Sequence, residues 1–167
     1  MLYDFAIHWF DIVTCLFGER QASEAFARAE RGVGQSLESP LGAHAVVRYD
    51  GGLASLVFQA HTQFDPSESV VVIGTKGTIR GVGAVCGIKE LSLVTQKGRA
   101  NVDLEGLWFD DGFAGAMGEL LCAIEENRQP ENSARGNLRS LELCFAAVAS
   151  ADSGHPEIPG SARDITV

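Results

Sequence analysis

Hydrophobic and polar positions change their rhythm three times along the chain. Over the first eighteen residues they recur at about 100° per residue, which predicts a helix over 1–18. Phe5, Trp9, Ile12, Val13 and Leu16 form a broad apolar face expected to be buried. Asp4, His8, Asp11 and Cys15 line a narrow polar stripe at spacings of four, three and four. Gly18 is a natural residue to end that helix. From 21 to 30 the pattern alternates, placing Ala22, Glu24, Phe26 and Arg28 on one face of a strand and Ser23, Ala25, Ala27 and Ala29 on the other. A Gly-, Ser- and Pro-containing stretch over 32–42 reads as a loop.

The clearest local signal follows. Two strand patterns, 43–49 and 53–60, are joined by Asp50-Gly51-Gly52. Glycine tolerates the positive φ of a tight turn, so this is an antiparallel hairpin. Phe64-Asp65-Pro66 breaks it. Further strand patterns cover 69–73, 78–80, 88–96 and 101–105, separated by Gly-containing turns. The rhythm then returns to helical. Asp110-Asp111-Gly112 looks like a helix start, with acids at the positive end of the dipole. Phe113, Met117, Leu120, Leu121 and Ile124 carry the helix to Asn127, and Leu138, Leu141, Cys144, Phe145 and Val148 mark another ending near Gly154. Ile165-Thr166-Val167 can add a terminal strand. The order is helix, roughly six short strands, two helices. Short turns demand mostly antiparallel pairing, since parallel pairs need long crossovers.

Composition narrows the class without changing this picture. The 167 residues, 46% hydrophobic and 21% charged, suit one globular domain with a real core. A net charge of −9 argues against non-specific nucleic-acid binding. No apolar run reaches the ~18 residues of a membrane span. The start lacks a basic region before its apolar residues, so a cytoplasmic protein is expected. The four cysteines (Cys15, Cys86, Cys122, Cys144) are scattered among apolar neighbours and read as reduced, buried thiols.

Chemistry concentrates in the first helix. A histidine with a carboxylate one turn away is the pattern of a general acid/base with its orienting partner, and equally of a polar face that hydrogen-bonds to the rest of a domain. Asp, His, Asp and Cys also ligate zinc, but one helix face rarely supplies a coordination sphere, and no metal site is expected. Gly32-Val33-Gly34 and Gly81-Val82-Gly83 begin like a dinucleotide fingerprint, yet Leu37 and Cys86 stand where the third glycine belongs. His44 and His61 flank the hairpin and read as solvent-edge histidines. Trp9 and Trp108 read as core or interface residues.

Asp4-Phe5-Ala6-Ile7-His8-Trp9-Phe10-Asp11, followed by Leu16-Phe17-Gly18, resembles the D-x-G-x-H-x-x-D…L-x-G signature of the Gfo/Idh/MocA family of NAD(P)-dependent oxidoreductases. The Asp50-Gly51-Gly52 hairpin, the segment from Val71 to Gly81, the helix from Phe113 to Asn127 and the closing Ser150-Ala151-Asp152-Ser153-Gly154 are also similar to that family's C-terminal domain. Ala6 stands where the signature has glycine.

The resemblance implies an α+β fold: an open, mostly antiparallel sheet with helices packed on one face, of the glyceraldehyde-3-phosphate-dehydrogenase C-terminal type. It implies that His8 is the catalytic acid/base, that Asp4 orients it or binds substrate, and that Asp11 is structural. It further implies a sugar, inositol or related polyol as substrate, and association into a homo-oligomer through the sheet face. NAD or NADP belongs to the full-length enzyme. The family's N-terminal Rossmann domain, with its glycine fingerprint and E-K-P lysine, is not among these residues. The expectation is therefore a truncated or isolated substrate and oligomerisation domain over 1–167, inactive alone and holding no cofactor. The alternative is a non-catalytic binding or dimerisation module with the same fold.

Overall fold

In the computed structural model, residues 1–83, 87–106 and 108–161 are described. The terminal strand expected at 165–167 and Cys86 lie outside them. The elements run α1 (Ala6–Phe17), β1 (Ala22–Glu30), β2 (Gly42–Tyr49), β3 (Gly52–Gln59), β4 (Ser69–Gly74), β5 (Gly77–Val82), β6 (Glu90–Thr95), β7 (Gly98–Val102), α2 (Trp108–Glu125) and α3 (Ala134–Ser153). This is an α+β chain in which every strand pairing is antiparallel. The strands form two hydrogen-bonded sheets, β1-β2-β3 and β4-β5-β6-β7. The chain also divides into two compact units, Met1–Thr62 with Ser133 onward, and Gln63–Asn132.

The first unit carries α1, the three-stranded sheet and α3. Gly51 takes φ +69° in the β2–β3 turn, as the Asp-Gly-Gly signal requires. Rows run across the sheet: Ala25, Val47 and Ala54; Ala27, Ala45 and Leu56; Ala29, Ala43 and Phe58. This face is dominated by small side chains, so a helix can lie close to it. There it meets Leu143, Cys144, Ala146, Ala147 and Val148 of α3, and Ala6 and Phe10 of α1, in one apolar core. Ser133 caps α3, its hydroxyl accepting from the Gly136 N–H at 3.1 Å, and Gly154 ends it at φ +78°.

β1 is an edge strand whose outward backbone groups at Ala25 and Ala27 are engaged. The Ala27 N–H donates to the buried Ser150 hydroxyl of α3 at 3.0 Å. Ala25 and Glu157 exchange two backbone hydrogen bonds of 2.8 Å each. A buried N–H without a partner costs about 1–3 kcal/mol, which explains a buried serine in the last turn of α3.

The second unit carries the four-stranded meander and α2. Two rows share one face of its sheet: Val72, Ile79, Leu93 and Ala100, and Val70, Gly81, Leu91 and Val102. Several of these apolar side chains are substantially exposed. α2 begins with Asp110 and Asp111 in its first turn, as the dipole favours. Its stripe of Phe109, Phe113, Met117, Leu121 and Ile124 is exposed. Beyond the helix, Arg128 grips the Glu119 carboxylate through two nitrogens, and the Glu131 N–H adds a third hydrogen bond to the same carboxylate. Among the described residues, no helix is long and apolar enough to cross a membrane.

Candidate functional site

The first helix is shorter than its hydrophobic rhythm predicts. Residues 2–5 form a turn in which the N–H groups of Phe5 and Ala6 donate to the Met1 carbonyl at 3.0 and 3.1 Å, and regular helix starts at Ala6. Asp4 therefore stands in the turn, one helical repeat ahead of His8. At the other end Gly18, at φ +63°, donates its N–H to the Cys15 carbonyl at 3.1 Å.

The buried side of α1 differs from the expected one. Ala6, Phe10 and Thr14 are buried, while Phe5 and Leu16 are exposed. At about 100° per residue the buried stripe lies roughly opposite the line of Asp4, His8 and Cys15, and the large apolar residues flank it. The reason is proximity. α1 packs against the small-residue face of α3, where only Ala6 and Thr14 fit beside Phe10. The bulkier Phe5 and Trp9 instead stack on each other, with centroids 4.6 Å apart, and meet Phe58 edge-on. Asp4 and His8 consequently face outward, and both are exposed.

Asp11 is half-buried and engaged. The fully buried Ser140 hydroxyl of α3 donates to Asp11 Oδ1 at 2.6 Å, and the Thr14 hydroxyl donates to the Asp11 carbonyl at 2.8 Å. Thr14 and Ser140 oxygens are 3.0 Å apart. This knot ties α1 to α3. Nearby, Arg139 donates to the carbonyls of Gly18 (2.7 Å) and Arg20 (2.8 Å), placing its cation at the negative end of α1. Neither Ser140 nor Arg139 is marked by any sequence signal, because both take their meaning from a partner about 120 residues away.

The described cysteines are not all buried, contrary to the expectation from their apolar neighbours. Cys144 alone, among those described, is buried; Cys15 and Cys122 are exposed, and all three are free thiols. Burial pushes the Cys144 thiol up to about 11. The Cys15 thiol is also raised, first by partial burial and then by the Asp11 carboxylate, with Arg139 opposing. Neither is an activated thiolate. Among the described residues, no three His, Cys, Asp or Glu side chains converge to hold a metal ion. Trp9 is half-buried and Trp108 exposed.

The two glycine pairs do not build a pyrophosphate cradle. Gly32 and Gly34 lie in the β1–β2 loop, and Gly81 lies inside β5. Gly32 and Gly34 lead into β2 rather than into a helix N-terminus, where a dinucleotide phosphate would sit, and residues 84–86 after the second pair lie outside the described residues. Gly32 and Gly34 do not fit the pyrophosphate of NAD or NADP.

Comparison with solved structures gives fold relatives at low identity. An oxidoreductase from Agrobacterium radiobacter, in complex with NAD+, L-tartaric acid and magnesium, superposes with a TM-score of 0.80 at 19% identity, over 96% of this chain and 49% of that one. Aldose-aldose oxidoreductase from Caulobacter crescentus, complexed with glycerol, gives 0.77 at 16%, over 94% and 47%. The WlbA dehydrogenase from Bordetella pertussis, in complex with NADH and UDP-GlcNAcA, gives 0.67 at 21%, over 92% and 43%. The chain thus spans about half the length of the structures it resembles. No curated protein matches it by sequence. Residues 1–159 match the family described as "Oxidoreductase family, C-terminal alpha/beta domain". With nearly the whole chain inside that match, the chain belongs to the Gfo/Idh/MocA oxidoreductase family as a C-terminal domain.

Proposed function

We propose that this chain is the substrate-facing domain of an NAD(P)-dependent dehydrogenase acting on a sugar, inositol or related polyol, with His8 as acid/base and Asp4 as its partner. One observation carries the reading. His8 stands exposed on α1, away from its buried stripe, and Asp4 stands exposed in the turn four residues before it, whereas Asp11 is committed to Ser140. Oxidising an alcohol requires the hydroxyl proton to leave as the carbinol carbon gives up its hydrogen. A neutral imidazole nitrogen of His8 takes that proton. The Asp4 carboxylate steadies the imidazolium or accepts a neighbouring hydroxyl. The redox cofactor is assigned to none of the residues described, so this domain alone is expected to be inactive. The glycerol, L-tartaric acid and UDP-GlcNAcA held by the fold relatives are hydroxyl-bearing molecules, which supports a polyol class.

The test joins this chain to the NAD-binding domain of a family member and measures turnover across a polyol panel. His8→Ala should lower kcat by about 10²–10⁴-fold, the usual worth of a positioned acid/base. Asp4→Asn should cost less. Turnover indifferent to His8→Ala would remove the catalytic reading.

A second reading, association without catalysis, is favoured by the sheet of the second unit. Ile79, Leu93 and Val102 share one of its faces at 40%, 39% and 44% exposure. A homo-oligomer formed through that face should dissociate with Ile79→Asp in light scattering. An unchanged mass would remove the sheet face from the interface.

A further inference from the structure

At the end of the first sheet remote from the Asp50-Gly51 turn, β1, β2 and β3 finish on a common rung of Glu30, Gly42 and Gln59. A pocket of about 450 Å³ opens there, within the first unit. That volume suits a small ligand. Its lining is unlike the rest of a chain with net charge −9. It gathers Arg28, Arg31, His44 and His61, two of the four histidines in the sequence, around a single carboxylate, Glu30.

The wall carrying Arg31 is built rather than loose. The loop after β1 is wound around one buried side chain, Gln35. Its Oε1 accepts from the N–H groups of Gly32 (3.3 Å) and Leu41 (3.2 Å), and its Nε2 donates to the carbonyls of Leu37 and Ser39, both at 2.7 Å. Arg31 donates one N–H to the Gln35 carbonyl at 3.2 Å, which fixes its guanidinium while leaving most of its five donors for other partners. The His61 ring approaches Gly32 by its Cδ2 edge: a Cβ on that glycine would stand 2.9 Å from His61 Cδ2. A Cβ there would push the ring away, so Gly32 leaves the room that the imidazole occupies. Arg28 is partly spent, donating to the Gly154 carbonyl at 3.3 Å and lying over the Phe26 ring. His44 stands beside Arg28 on the same rung.

We propose that this pocket binds the phosphate or carboxylate of a small hydroxylated molecule. Arg31, His44 and His61 hold the anion, and Gln59 and Glu30 take its hydroxyl groups. A planar guanidinium with free paired donors is the side chain best matched to either anion. Glu30 disfavours a bare, multiply charged ion and favours a ligand that also brings O–H donors. The site is separate from the Asp4 and His8 face and does not rest on the dehydrogenase reading.

Calorimetric titration of the intact chain with D-glucose 6-phosphate, D-gluconate, inorganic phosphate and D-glucose tests it. At least one of the two anionic sugars should bind about tenfold or more tightly than D-glucose, because a charge-assisted guanidinium contact is worth that much. The tighter of the two arms identifies the anion. Arg31→Ala should weaken that binding by about tenfold or more, and Gly32→Ala should weaken it by displacing His61. Arg31→Lys, which keeps the charge and a hydrogen bond to the loop, should fall between. Equal binding of D-glucose and both anions, or no saturable binding up to about 10 mM, overturns the proposal. So does affinity untouched by Arg31→Lys and Gly32→Ala in proteins with the parent circular dichroism.

Discussion

Replacing Ser140 with alanine isolates what holds α1 at its angle. Ser140 has one proton, and the Asp11 carboxylate, an acceptor only, takes it at 2.6 Å. The Thr14 proton is therefore the one shared between the Asp11 carbonyl and Ser140 Oγ. Ser140→Ala removes a single oxygen from a fully buried position, so the cavity left is small. Its main effect is to strip Asp11 of its donor and Thr14 of a neighbour. Hydrogen bonds to charged groups are worth about 1.5–3 kcal/mol, and because Asp11 is only half-buried, water recovers part of this. A loss of about 1.5 kcal/mol is expected. Asp11→Asn keeps an acceptor but drops the charge assistance, so it should cost about half as much. The double variant should cost less than the sum, since the two share one bond. Urea unfolding followed by Trp9 fluorescence in a Trp108→Phe background reports the first unit alone. A Ser140→Ala loss under about 0.5 kcal/mol, or strict additivity with Asp11→Asn, would refute the claim that this contact fixes α1 on α3.

Three further outcomes follow from contacts already described. The Glu119 carboxyl is held at about 2 by the Arg128 guanidinium and the Glu131 N–H. A lowered folded value means that the clasp's stabilisation is fully present above the ordinary carboxylate range and is lost as pH falls toward 2; a carbon-detected NMR titration should show this, and Arg128→Ala should return Glu119 to the ordinary range. Among the three described cysteines, alkylation mapped by mass spectrometry at pH 8 should label Cys122 faster than Cys15 and leave Cys144 protected; early labelling of Cys144 would contradict its place in the core. Gly52→Ala would put a Cβ 2.3 Å from Phe17 Cε1 and force that ring off its stack on Tyr49, whose centroid is 3.8 Å away. Near-UV circular dichroism should lose the aromatic signal, with about 1–3 kcal/mol of stability.

What the sequence revealed and what it hid divide along a physical line. The β2–β3 hairpin was legible because Asp50-Gly51-Gly52 states a backbone requirement that no tertiary contact has to supply. Gly18 and Gly154 ended their helices for the same reason. The buried face of α1 differs from the large-residue face that the sequence pattern predicts, because size is not the mark of burial there. At a close helix–helix approach the selected residues are Ala6, Thr14, Ser140 and Ala147, while Leu138 and Leu16 stay outside. Cys15 and Cys122 were misjudged by the same logic, since apolar neighbours in sequence need not be neighbours in space. The candidate acid/base pair was legible as spacing. The histidines at the sheet end were not, because the importance of His61 depends on Gly32, which reaches it only through the loop wound around Gln35.

The treatment of β1 reaches beyond its own hydrogen bonds. With the Ser150 hydroxyl on the Ala27 N–H and the Glu157 backbone on Ala25, a further strand cannot pair along the middle of β1. Sheet growth there would require peeling away the segment after α3. The three-stranded sheet is in this sense polar, sealed at one end, so an extended peptide or a misfolded neighbour seeking a template meets a closed border at β1. Cutting the chain just before Glu157 would open that border and convert a stable edge into a nucleus for aggregation.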